Sequence, residues 1–398
     1  MLDVTQTEQR RVVADGRRER ILTTAARLFR QRGFSGVGMD DIGAAAGLTG
    51  PAVYYYFSGK RDLLAAVAGQ LVAVFESAVD AAGASAQGAI DRVVAAALAA
   101  PDSLAVGLRQ LGHLDAEARD PLEARLQAIA AYAAGLGGPG DRVHLRARAV
   151  AGAMMSLALA KSPDRATPRA LAGEVARSIL GTPLPTRSVA TAGTTRDDLK
   201  MRAARAFRSE AILAESARLF HERGFNGVSL GDIGASCGIS GSAVARRFGS
   251  KERLLAAAFA RLGDRIGAAT YRALATATEP SRAVEGVIGS YVTAALDSRD
   301  LVCLNMSETY HLPAADRRLR RRQQRAYADE LAHALTGADP AMPLLEAKRR
   351  ARAAYSLVSE VANSDELAAL EGLDADLTAL ALAVLHRSRS GRGEQDRP

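Results

Sequence analysis

Residues 26–64 read ARLFRQRGFSGVGMDDIGAAAGLTGPAVYYYFSGKRDLL, and residues 217–255 read ARLFHERGFNGVSLGDIGASCGISGSAVARRFGSKERLL. Laying Ala26 on Ala217 brings the two stretches into register without a gap, with about half of the positions identical. An internal repeat determines architecture before any single residue is interpreted. The repeated unit has the pattern of a helix-turn-helix. An apolar stripe of Ile21, Ala25, Leu28 and Phe29 marks a first helix from about Arg17 to Arg32, closed by Gly33. A second helix is expected over Met39–Ala46 with Ile42 inward. Gly47 makes the turn, and a short third helix opens at Pro51 and carries Val53 and Phe57 inward. Ser229 stands where the first copy has Gly38, and serine is the better N-cap.

Working outward, the chain has 398 residues and the copies lie about half that length apart, so two similar halves are expected. The hydrophobic fraction is 48%, alanine and leucine dominate, and there is no tryptophan, which favours packed helices over sheet. Net charge is +8, shared evenly: residues 1–190 hold 22 Lys and Arg against 18 Asp and Glu, residues 191–398 hold 30 against 26. Much of the excess sits on the repeated segments, as contact with a phosphate backbone needs. Cys237 and Cys303 occupy unmatched positions, which suits a reducing cytoplasm rather than a disulfide framework. The first residues lack an apolar signal core and no apolar run is expected to span a membrane, so a cytoplasmic protein without a membrane partner is predicted.

The weaker repeat runs on. His113-Leu114-Asp115-Ala116 pairs with His311-Leu312-Pro313-Ala314, and residues 146–162 with 348–364. The expected class is all-α, in two tandem halves. The boundaries are 14–66 and 201–257 for the helix-turn-helix domains, and 67–181 and 258–387 for the helical bodies. Residues 182–200 read as a linker rich in Pro, Ser, Thr and Gly, and 388–398 as a disordered tail. Residues 1–15 read as a flexible arm.

The third helix of the first copy turns Thr49, Gly50, Pro51, Tyr54 and Tyr55 outward, and only these can face DNA. Their counterparts are Ser240, Gly241, Ser242, Ala245 and Arg246, with Arg247 opposite Tyr56. The framework residues Ile233, Gly238, Val244, Phe248 and Lys251 are kept. The scaffold should therefore survive while its recognition surface changes. An arginine pair suits guanine edges and phosphates.

The stretch GFSGVGMDDIGAAAGLTGPAVYYYFSGKRDLL resembles the DNA-binding domain of the TetR family of bacterial regulators, strongly over 14–66 and nearly as strongly over 205–257. The resemblance implies that Tyr54 contacts phosphate, that Tyr55 and Thr49 read bases or backbone, and that Lys60 and Lys251 reach phosphates. It also implies that Arg17, Arg18 and Arg20 form a basic arm for the backbone or minor groove. The bodies would then bind a small apolar effector, of fatty-acid or acyl-coenzyme A type. Leu108, Leu111, His113, Met154 and Met155 are the candidate lining residues in the first half, and Tyr291, Cys303, Met306, Tyr310 and His311 in the second. The run Arg317–Arg325 reads as a basic helix face that would suit the phosphates of such a ligand.

No phosphate loop, nucleophile elbow or metal-ligand spacing occurs, so no enzyme, cofactor or metal is expected. The implied function is a ligand-responsive regulator, a repressor, that binds a double-stranded operator with both readers on one chain. It would act as an intramolecular pseudo-dimer or as a homodimer of the fused chain. The alternative is an effector sensor or carrier whose second DNA module is vestigial and which binds DNA through the first as a homodimer.

Overall fold

The computed structural model describes residues 2–83, 85–133, 141–159, 166–185 and 208–387, which are helical with no strand among them. The chain divides into two compact units, Met1–Leu180 and Gly181–Pro398. The expected linker from residue 186 onward and the tail from residue 388 lie outside the described residues.

In the first unit α1 (Leu2–Arg32), α2 (Met39–Ala45) and α3 (Gly50–Tyr54) make the reader. The body follows with α4 (Lys60–Asp80), α5 (Ala86–Ala99), α6 (Pro101–Arg109), a 3-10 turn over Leu111–His113, α7 (Ala116–Ala133), α8 (Asp141–Ala158) and α9 (Ala166–Gly181). The second unit repeats the order. Its reader is α10 (Arg208–Arg223), α11 (Leu230–Ser236) and α12 (Gly241–Phe248). Its body is α13 (Lys251–Thr276), α14 (Pro280–Asp297), α15 (Arg299–Ser307), a 3-10 turn over Thr309–His311, α16 (Ala314–Ala338), α17 (Leu344–Ala362), α18 (Asp365–Ala368) and α19 (Leu373–Leu385).

One expectation is overturned at the start. The predicted flexible arm is helix, because α1 runs back to Leu2 without a break. No proline interrupts residues 2–32, and Arg, Glu, Gln and Ala are good helix formers. Helix α1 ends at Gly33, whose φ of 69° closes it with a bond from its N–H to Phe29 O at 2.9 Å.

Helices α4 and α13 each serve reader and body. Leu63 and Leu64 of α4 are fully buried at its start, and Val67, Leu71, Val72 and Phe75 continue the same buried stripe into the body. By length and composition α4 is apolar enough to cross a membrane, which corrects the expectation that no run reaches that length. Its apolar stripe is instead packed against helices of the same unit. Each buried Leu, Val or Phe contributes about 1.5–3 kcal/mol over its exposed state.

The last helix of each unit is closed by an arginine. Arg146 donates to Ile179 O and Leu180 O, both at 2.7 Å. Arg350, fully buried, donates to Val384 O at 2.9 Å and His386 O at 3.2 Å. Both arginines satisfy carbonyls that a helix end leaves without a partner.

Candidate nucleic-acid interface

The angle between the two helices of each reader is set by close backbone approach. A methyl group on Gly43 would stand 3.1 Å from Gly50 N, and one on Gly234 would stand 2.8 Å from Gly241 N. Gly47 and Gly238 turn the chain with φ of 70° and 67°, a region that residues with a Cβ rarely enter. Ile42 and Val53 in the first copy, and Ile233 and Val244 in the second, are completely buried beneath these crossings. The buried face of α3 and α12 leaves the opposite face outward.

The N-terminus of α11 is better built than that of α2. Ser229 Oγ accepts from Asp232 N at 3.1 Å while Asp232 Oδ2 accepts from Ser229 N at 2.8 Å, a reciprocal capping box. Gly38 offers only its backbone N–H, which Asp41 Oδ2 accepts at 2.8 Å.

On the outward face of the first reader, Thr49 and Pro51 are exposed and Gly50 half-buried. Tyr54 is 54% and Tyr55 84% exposed, and Tyr56, half-buried, meets Tyr55 edge to face at 5.3 Å. Two large rings standing in water at the end of α3 are available to a partner surface. The second reader extends its helix to Phe248 and stops at Gly249, φ 82°. Ser240 and Ser242 are exposed with their hydroxyls 2.9 Å apart, and Gly241 is half-buried. Arg246 and Arg247 are both exposed, but Arg247 donates to Ser209 on α10. Arg246 has no partner among the described residues, and its guanidinium is open to an incoming ligand.

Arg17, Arg18 and Arg20 are exposed on helix α1, as the expected first helix placed them, and the Arg18 guanidinium lies 5.2 Å from the centre of the Phe57 ring. Lys60 is engaged within its own reader. Its ammonium donates to Phe34 O and to Val37 O, both at 2.9 Å, and lies 4.4 Å from the centre of the Phe34 ring. Partial burial pushes its pKa down. Lys251 repeats the arrangement, with Phe225 O at 2.7 Å, Val228 O at 2.8 Å and the Phe225 ring at 4.4 Å. Each lysine is thus a clamp on the loop between the first two helices of its reader. A loop carbonyl cannot be left dry, and an ammonium holds two of them at once.

Phe34 and Phe225 were not among the candidate residues, although the repeated Gly-Phe pair marks them. Each is the hinge of a stack that reaches the body. His113 stacks on Phe34 at 4.8 Å, and His311 stacks on Phe225 at 4.1 Å. Gln110 Oε1 accepts from Phe34 N at 3.1 Å, and Arg30 pairs with Asp102 of α6. The two histidines expected in an effector pocket therefore stand at the junction of reader and body. Of the other candidates, Leu111, Met154, Met155 and Cys303 are buried, and Leu108, Tyr291, Met306 and Tyr310 are half-buried. Burial raises the Tyr310 pKa, and its ring lies 3.9 Å from that of His311.

The run Arg317–Arg325 is not one basic face. Arg317 donates to Tyr310 O at 2.6 Å and Leu312 O at 2.8 Å, and Arg320 is 7% exposed, inside the body. Leu319 takes the outward place, 54% exposed, beside exposed Arg318, Arg321, Arg322 and Arg325. The helical period, 3.6 residues, aligns Arg320 with buried Ala328, Leu331 and Leu335.

Residues 21–67 and 212–258 each match the family described as bacterial regulatory proteins, tetR family. The HTH-type transcriptional activator FasR of Mycolicibacterium smegmatis is 40% identical over 57 residues, 14% of this chain and 26% of that protein. The HTH-type transcriptional regulator EthR of the same organism is 34% identical over 82 residues, 20% of this chain and 38% of that protein. The chain thus spans about a quarter to two fifths of the length of these curated relatives. A crystal structure of a TetR-family transcriptional regulator from Bordetella parapertussis is 20% identical with a TM-score of 0.42, covering 46% of this chain and 95% of that one.

Proposed function

We propose that this chain, a tandem of two TetR-like halves each opened by a TetR-family domain, is a cytoplasmic transcriptional regulator that binds one DNA operator through two unlike readers. The observation that carries the proposal is the pair of outward faces. Each stands on a helix pinned by a fully buried valine, one presenting Tyr54 and Tyr55 and the other Arg246. Identical readers on a symmetric dimer demand a palindrome, whereas unlike readers on one chain prefer an operator with unlike half-sites.

A small effector bound in a body releases the operator by moving α4 or α13, so that the effector-free state is the repressing one. A coupling of roughly 1–3 kcal/mol between effector and DNA suffices for a five- to 150-fold change in affinity. The tie between Arg247 and Ser209 favours one competing reading, in which the second reader is idle and the first acts through a homodimer.

Selection of binding sites from random duplexes by the full chain, followed by titrations at several salt concentrations, tests both. Tyr55→Ala is expected to weaken contact with one half-site and Arg246→Ala with the other, each by roughly 1–3 kcal/mol. Uniform protection of both half-sites in the Arg246→Ala footprint would mean an idle second reader. Absence of any sequence-specific, salt-sensitive binding would sink the regulator reading. Light scattering decides the assembly, since a mass near twice 41.7 kDa replaces the pseudo-dimer by a homodimer.

A further inference from the structure

The second body holds a charge that nothing in it balances. Arg320, on α16, is 7% exposed, and its Nη1 is buried with no hydrogen-bond partner. Its Nε donates to Asn305 Oδ1 at 3.1 Å, and its guanidinium lies 5.8 Å from the centre of the Phe259 ring. No Asp or Glu among the described residues pairs with it. The phenols of Tyr291 and Tyr327 lie within its electrostatic reach, but burial raises the pKa of both, so they stay neutral and cannot serve as counter-ion. Their hydroxyls are already held, Tyr291 with Ser359 Oγ at 2.9 Å and Tyr327 by donation to Gly263 O at 2.6 Å. Burial lowers the Arg320 pKa, yet a guanidinium remains charged at neutral pH.

Nη1 also lies against α13. A methyl group placed on Gly263 would stand 3.4 Å from it. The same methyl would stand 3.1 Å from Gln323 Oε1, so the bare backbone at 263 seats both the Gln323 amide and the guanidinium beside the helix that begins at the clamp Lys251.

The first body has none of this at the same stations. Counted from the start of each helix, Arg320 corresponds to Leu122, Tyr327 to Ile129, Asn305 to Gly107, Phe259 to Ala68 and Gly263 to Val72. Counted back from the end of its helix, Tyr291 corresponds to Val93. One body is apolar where the other carries an unpaired cation. A buried guanidinium without a counter-ion costs several kcal/mol, so its retention points to a ligand that supplies the negative charge.

We propose that the second body is the effector site of the chain, that it takes a small monocarboxylate with an apolar remainder, and that the carboxylate pairs with Arg320 beside Asn305. A single guanidinium balances a monoanion, whereas a doubly charged phosphate would leave one negative charge buried and unpaired. A carboxylate also accepts two parallel N–H groups from an arginine. Arg320 itself lies beside Gly263 of α13, the helix that joins body to reader, so the pairing is made next to that helix. This inference rests on the effector-responsive reading above, and it names the half and the chemical class.

The test uses the full chain and a panel of straight-chain acids from acetate to dodecanoate with benzoate and phenylacetate, each beside its neutral methyl ester. Inorganic phosphate forms a separate arm. Calorimetry and thermal shift read binding. At least one acid is expected to bind with its ester weaker by roughly 30-fold or more, and Arg320→Met to abolish the preference by the same factor. The unliganded melting temperature of Arg320→Met should stay level or rise. If that variant fails to fold, Gly263→Val, whose branched side chain crowds the Gln323 amide and the guanidinium together, carries the same expectation. No binding by any acid, equal binding of acid and ester, unchanged binding by the variant, or binding of phosphate in place of the acids overturns the proposal. Operator binding by the same unliganded preparation is measured in parallel. Its loss with acid binding intact removes the regulator reading alone, and the reverse result removes this inference alone.

Discussion

The two readers are built alike where they are buried and unlike where they face outward. Ile42, Gly47, Val53 and Lys60 find their matches in Ile233, Gly238, Val244 and Lys251, with the same burial, the same turn geometry and the same two carbonyls on each lysine. Yet α3 stops at Tyr54, leaving Tyr55 84% exposed beyond it, while α12 runs three residues past Ala245 to Phe248 and turns out Arg246. The bodies diverge in the opposite sense, because there the change is at the centre, where Arg320 replaces Leu122. Helix crossing angles depend on a few close contacts, so a duplicated reader keeps them. Recognition depends on side chains that no core constrains, so those drift or specialise.

The largest expected difference lies in the crossings. A methyl on Gly234 meets three backbone atoms at 2.8 Å, whereas one on Gly43 meets backbone atoms no nearer than 3.1 Å. Gly234→Ala should therefore cost about 2–3 kcal/mol by overpacking. Gly43→Ala should cost about 1 kcal/mol or less, because a small shift relieves it and alanine favours the helix. Urea unfolding of the full chain with hydrogen exchange on the readers measures both. Equal losses would erase the distinction in tightness.

The clamps come next. Lys60→Met and Lys251→Met each strand two loop carbonyls, at a cost of about 1–3 kcal/mol. Operator affinity should fall in both while the salt dependence of binding keeps its slope, because no phosphate contact is removed. A slope reduced by about one would restore the lysines to the DNA backbone.

The smallest effects belong to the caps. Ser229→Ala should lower stability by about 1 kcal/mol through loss of the side-chain cap on α11. Gly38→Ser should raise it by about 0.5 kcal/mol or more, since φ of −96° and ψ of 165° already suit an N-cap. Melting curves of the two variants test whether the readers differ here only in a hydroxyl group.

Much of this was legible in the amino-acid order. The repeat announced two readers, the Gly and apolar positions announced the turn, and the substitution of three tyrosines by Ala-Arg-Arg announced unequal surfaces. Three features were not. Residues 2–15, expected as a flexible arm, are helix because nothing in them forbids one, and composition alone does not tell a polar helix from a coil. Lys60 was assigned an outward role and the two histidines a pocketward one, yet Lys60 clamps the loop of its own reader and the histidines stack at the junction between reader and body. Arg320 was concealed in a run of arginines, although its phase with Leu331 and Leu335 marks it as inward.

Sequence by itself determined that the chain is two similar all-α halves and which residues their readers share, because local periodicity, turn glycines and a repeat are properties of the chain order. Tertiary structure alone decided which polar groups are satisfied. An ammonium between two loop carbonyls and a guanidinium with no counter-ion depend on residues brought together across tens of positions. The chemistry of each is decided by what stands beside it after folding and not by its neighbours along the chain.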